Sequence, residues 1–195
     1  MIFTIPNLIS AIRISLVPVF LWLLLGREDY IAAGLLIGGV GATDWVDGYL
    51  ARRLGQVSEL GKMLDPIADR LAVAAAVIGG WISGTVPAWF AAALLVREIF
   101  VGSAAMYLAV RTGKKIAVRT LGKRATFAIY FAIPAFIVYA GGAHEFFRGF
   151  AHAVGIPGLI LYWIVAFQYF ADIRRALSET GERVSSERRQ PGEAP

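Results

Sequence analysis

The chain has 195 residues, of which 57% are hydrophobic and 17% charged, with a mean hydropathy of +0.63. A soluble domain of this length would expose too much of that apolar surface, and the absence of cysteine excludes both a disulfide framework and a thiolate metal site. A net charge of +5 and a pI of about 9.7 suit anionic lipid headgroups and a positive-inside topology better than nucleic acid, so no nucleic-acid partner is expected.

Six membrane spans are expected, at residues 7–25, 30–51, 63–82, 87–109, 122–141 and 154–173. Each is close to the roughly 20 residues that a bilayer crossing requires. The first lacks a basic leading region and a small-residue cleavage site, so it reads as a span rather than a removable signal. Gly26-Arg27-Glu28-Asp29 and Ser83-Gly84-Thr85 read as tight turns. In the second span, Gly38, Gly39 and Gly41 are expected to serve helix packing. The expected fold is all-α and polytopic, with a six-helix membrane domain over residues 1–177. A polar tail, 178–195, is expected to be disordered.

Charge orients these spans. With six crossings both termini share one side of the membrane. Of the 19 Lys and Arg residues, only Arg27 and Arg148 fall on the other side, and Arg97 falls mid-span. This asymmetry puts both termini in the cytosol. No internal repeat is visible, which argues against the inverted-repeat architecture of many transporters.

The junction of the second and third spans carries the chemistry. Asp44, Asp47, Asp65 and Asp69 lie in TDWVDGYLARRLGQVSELGKMLDPIADR, with the spacing D-x-x-D-G-x-x-A-R-x8-G-x-x-x-D-x-x-x-D. Spacings of three and four put each pair on one helical face. A short connection between the helices lets all four carboxylates converge. Four such charges at membrane depth need compensation, and clustered carboxylate oxygens are what hard divalent cations prefer. Gly48 and Gly61 flank the site and let a ligand approach the backbone, while Arg52 offers a fork for a phosphate. Taken singly, Gly48 could serve packing, Arg52 and Arg53 could be interface anchors, and a lone aspartate could be a proton relay. Together they point to a nucleotide diphosphate held through metals.

Other charges are less specific. Arg97 and Glu98 are sequence neighbours and are not expected to face one another across a helix turn. Either faces a wet cavity or pairs with another helix. Lys114, Lys115, Arg119, Lys123 and Arg124 form a basic stretch that suits topology and lipid attraction. Lys123 and Arg124 are the best placed to hold an acceptor phosphate. His144 and His152 lie near the opposite surface, and an interfacial role is expected, not metal ligation.

The segment from Asp44 to Asp69 resembles the signature of the CDP-alcohol phosphotransferase family. Ile5-Pro6-Asn7-Leu8-Ile9-Ser10, with Arg13 and Pro18, is similar to the start of its phosphatidylglycerophosphate synthase and eukaryotic-type cardiolipin synthase branch. Arg97-Glu98-Ile99 and Gly122-Lys123 fall where that branch has similar residues, so the resemblance covers most of residues 4–130. Arg70 departs from it, since many of these synthases carry Lys there.

The resemblance implies a six-helix homodimer with two divalent cations, Mg2+ or Mn2+. It implies Asp44, Asp47 and Asp65 as metal ligands helped by Asp69, with Asp69 also the general base. Gly48, Ala51, Arg52 and Gly61 would contact the CDP-lipid. Read from the charges themselves, Lys123 and Arg124, with Arg97, are the candidates to bind the acceptor. The implied reaction moves a phosphatidyl group from CDP-diacylglycerol to a glycerol-type hydroxyl. Glycerol 3-phosphate is the favoured acceptor, phosphatidylglycerol the alternative and an inositol phosphate a weaker one. The implied location is the inner membrane of a bacterium, among membrane lipids, with the site facing the cytosol. An aspartate-rich prenyltransferase would need a second such motif and more helices. A cation transporter would need acids deeper in the membrane, where Glu98 is the sole candidate.

Overall fold

The computed structural model describes the backbone of residues 5–54, 59–112 and 120–189, and the side chains of 11–42, 68, 70–110, 121–172 and 174. Six helices follow one another among the described residues. They are α1 (Ile5–Leu21), α2 (Tyr30–Leu54), α3 (Glu59–Ile82), α4 (Ala88–Thr112), α5 (Thr120–Ala140) and α6 (Glu145–Arg189). A π-helical turn, Trp22–Gly26, extends α1.

The links are built from the residues that the sequence puts there. Asp29 Oδ1 accepts the Ala32 N–H at 3.0 Å and caps α2. Gly84 turns the chain at φ +71°, and the Ser83 and Thr85 hydroxyls bond to one another at 2.9 Å. Gly142, at φ +86°, ends α5, and His144 Nδ1 accepts the Phe146 N–H at 3.1 Å to start α6. His144 is therefore a helix cap. These short links fold α1 back on α2, α3 on α4 and α5 on α6.

α5 lies between α2 and α6, α1 packs along α3, and α4 leans on α6. Phe20, Leu24, Val77, Phe90 and Ile137 are fully buried where these helices meet, and the Phe90 and Phe136 rings meet edge-on at 5.4 Å. Small residues set the helix separations. A Cβ on Gly34 would lie 2.5 Å from Val138 Cγ2 and 3.0 Å from the backbone of α5. Gly38 and Gly41 also face α5, against Pro134 and Tyr130. Gly39 does not fit the packing expectation, since nothing lies within 4 Å of where its Cβ would be.

Among the described residues, three helices are long and apolar enough to cross a membrane: Ala88–Val110, Leu121–Ala140 and Glu145–Asp172. The others contribute shorter apolar stretches, Ala11–Gly26, Tyr30–Ala42 and Arg70–Ile82. The sixth helix differs from the expected 154–173. It begins at Glu145 and continues to Arg189, into the polar tail expected to be disordered from Ser178. Glu179, Arg183 and Glu187 succeed one another at intervals of four, a charge spacing that supports helix.

The outer surface is apolar. Ile82, Ile99 and Val110 are 70–78% exposed. Trp22, Trp81 and Trp89 are exposed at the end of the bundle that carries Arg27 and the Ser83–Thr85 turn, where a headgroup belt of aromatic rings belongs.

Candidate active site

α2 and α3 carry the aspartate motif on either side of the 55–58 link. The side chains of Asp44, Asp47, Gly48, Ala51, Arg52, Gly61, Asp65 and Asp69 lie outside the described residues, so their placement comes from the helices that bear them. On α2, Ala33, Ile37 and Val40 form the buried stripe. Continued at helical spacing, it passes through positions 44, 47 and 51. On α3, Ala68, Ala72 and Ala76 are buried at 0–4% exposure, and positions 65 and 69 fall on the same stripe. Both helices thus lead from packed core into acidic residues. α1 contributes a third charged element beside α3, because Arg13 is only 4% exposed.

A second polar cluster adjoins the motif. Glu98 lies near the middle of the Ala88–Val110 stretch of α4. Its Oε2 accepts from Arg70 NH1 at 3.1 Å, and its Oε1 accepts from Arg97 NH1 at 2.8 Å and from the Tyr162 hydroxyl of α6. The Arg97 guanidinium lies 3.6 Å from the centre of the Tyr162 ring, within cation–π range. The Arg97 side chain is 8% exposed, and its Nε is buried without a hydrogen-bond partner. Through Arg70, the residue after Asp69, this cluster ties α3 to α4.

One sequence expectation changes here. Arg97 and Glu98 do pair, because side chains of this length can meet beside the helix even from adjacent positions. Lys123 and Arg124 are exposed on α5. Tyr162 was not anticipated. Its only sequence signal is a polar tip inside an apolar run. His152 bonds the Arg148 carbonyl at 2.8 Å and meets Phe136 edge-on at 5.0 Å, which is a structural role. The shallow depression lined by Glu145, Arg148, Gly149 and His152 lies at the start of α6, at the end of the bundle away from the α2–α3 link.

A bundle of apolar helices, two of which bear the aspartate-rich motif in their sequence, defines a membrane protein. The chain matches the CDP-alcohol phosphatidyltransferase family over residues 3–170, and it belongs to that family. It is 34% identical over 181 residues to the cardiolipin synthase (CMP-forming) of Streptomyces coelicolor, covering 89% of this chain and 84% of that protein. It is 36% identical over 151 residues to the CDP-diacylglycerol--glycerol-3-phosphate 3-phosphatidyltransferase of Bacillus subtilis, covering 70% and 78%. A protein of the same name from Pectobacterium atrosepticum is 33% identical over 190 residues, covering 91% and 98%. The family generally depends on a divalent metal. These bacterial relatives and the apolar helices mark an integral membrane protein.

Proposed function

We propose that this chain transfers a phosphatidyl group from CDP-diacylglycerol to the hydroxyl of a glycerol-type acceptor, releasing CMP, with sn-glycerol 3-phosphate as the acceptor. The observation that carries this reading is the Asp44-to-Asp69 pattern on the continuations of two buried stripes, in a chain of this family. The relatives named for glycerol 3-phosphate support the choice of acceptor. The Streptomyces relative, similar over 89% of the chain, supports a second reading: phosphatidylglycerol as acceptor and cardiolipin as product.

The donor set fits one or two Mg2+ or Mn2+ ions, since four carboxylates supply only hard oxygen ligands. Asp44, Asp47 and Asp65 would hold them, helped by Asp69, and the ions would neutralise the diphosphate and the leaving CMP. Gly48, Ala51, Arg52 and Gly61 line the CDP side, with Arg52 donating to a phosphate oxygen. Asp69 takes the proton of the acceptor hydroxyl. The acceptor oxygen then bonds to the lipid-linked phosphorus as the bond from that phosphorus to CMP breaks. Lys123 and Arg124 hold the acceptor phosphate. Arg97 can reach it only from inside the bundle, because it is buried against Tyr162.

The same reading has six crossings, both termini in the cytosol, a membrane domain over residues 1–177 with a separate tail, and a homodimer in the bacterial inner membrane. Six consecutive helices and the bias of Lys and Arg toward one side support it. Purified protein given CDP-diacylglycerol in parallel with glycerol 3-phosphate, phosphatidylglycerol or inositol phosphate tests it. The first should give the fastest CMP release. Faster release with phosphatidylglycerol establishes the second reading, and release only with inositol phosphate contradicts both.

A further inference from the structure

Glu98 stands where three helices meet. It accepts from Arg70 of α3, from Arg97 of its own helix and from Tyr162 of α6. A carboxylate at mid-span is costly, and two guanidiniums and a phenol offset that cost here. The donors differ in environment. Arg97 and Tyr162 hold the carboxylate from inside the bundle, where the guanidinium lies against the ring. Arg70 reaches it from a side chain that is 78% exposed. An ion pair with so exposed a partner adds little stability. Its effect is geometric: it ties one turn of α3 to α4 and α6, and that turn carries Asp69.

We propose that Glu98 is a positioning residue for phosphatidyl transfer, acting through Arg70 to fix the rotation of the α3 turn that bears Asp69. This rests on the function proposed above. Neighbouring residues project about 100° apart around a helix, so anchoring position 70 sets the direction of position 69. Arg97 and Tyr162 keep the anchor from swinging. The Arg70–Glu98 pair thus acts on the orientation of the base, not on the grip on either substrate.

The test is steady-state kinetics of the full chain with CDP-diacylglycerol and glycerol 3-phosphate. The variants are R70Q, R70K, E98Q and R70Q/E98Q, each checked for folding by gel filtration and thermal unfolding. R70Q and E98Q should each lower kcat at least about ten-fold with both KM values within about three-fold, since small misplacements of a reacting group cost rate rather than binding. The double variant should be no slower than the slower single, as expected for residues acting through one contact. R70K, which keeps the charge, should recover to within about three-fold of the parent kcat. If E98Q does not fold, R70Q and R70K decide, because they alter only the exposed partner. Parent-like kcat in R70Q, or multiplying effects in the double variant, overturns the role of Glu98. A parent protein that releases no CMP with any acceptor overturns the proposed function and this role with it. An active parent with an unimpaired R70Q overturns this role alone.

Discussion

An aspartate at the centre of a membrane helix costs about 2.5–3.5 kcal/mol on insertion scales. Helical spacing puts positions 44, 47, 65 and 69 in register with the buried stripes of α2 and α3, and the proposed function meets that cost with bound divalent ions. Replacing Asp44, Asp47 or Asp65 with Asn should lower CMP release at least about 100-fold, the scale of losing one positioned group in this kind of site. Parent-like rates in any of the three would remove that residue from the site. On the acceptor side, Lys123 and Arg124 are exposed on α5 and open to a phosphate. A charge-assisted hydrogen bond is worth roughly 1.5–3 kcal/mol, so changing both to Gln should raise the acceptor KM about 10- to 150-fold. The KM for CDP-diacylglycerol should stay within about three-fold, because binding lost on one substrate appears in its own KM. If neither KM moves, these two residues serve topology and the acceptor phosphate is held elsewhere.

Helix separations make the second set of expectations. Gly34 has no room for a Cβ, since Val138 and the α5 backbone stand in its place, whereas Gly39 faces open space. Gly34→Ala should destabilise the bundle by about 1–3 kcal/mol, as overpacking does, and Gly39→Ala should not. Thermal unfolding in detergent measures both, and equal stability of the two variants contradicts the α2–α5 packing. The order of the helices was legible because Gly, Ser and Asp mark the turns between apolar runs. The start of α6 was not, because Glu145, Arg148 and Gly149 interrupt the apolar run before residue 154, while the helix continues through them. The aspartate motif was legible because charge is scarce in so apolar a chain. The Glu98 cluster was not. Helix spacing rules describe which positions share a face, and they do not describe how far arginine side chains can bend or which distant tyrosine meets them. The tail was judged by polarity, which hid charge spacing that favours helix.

At the scale of the molecule, topology and chemistry constrain one another. The exposed tryptophans lie at the end of the bundle with Arg27, and the proposed topology puts the bulk of Lys and Arg toward the other. A cysteine at Ser58 should react only with a reagent that reaches the cytosol, and a cysteine at Glu145 only with an external one. The chain contains no cysteine to interfere. The reverse pattern would turn the protein over and put the aspartates on the wrong side for soluble glycerol 3-phosphate. The contact between Arg70 and Glu98 ties the residue beside Asp69 to α4. The central claim is that this buried acidic site joins the phosphatidyl group of CDP-diacylglycerol to glycerol 3-phosphate with a divalent ion. Its most direct test is to count CMP and phosphatidylglycerophosphate formed by purified parent protein and by D69N, with Mg2+ and with excess chelator. The account predicts one CMP per phosphatidylglycerophosphate in the parent with Mg2+, and a loss of at least about 100-fold in D69N or with chelator. Undiminished product formation in chelator, or by D69N, would contradict it.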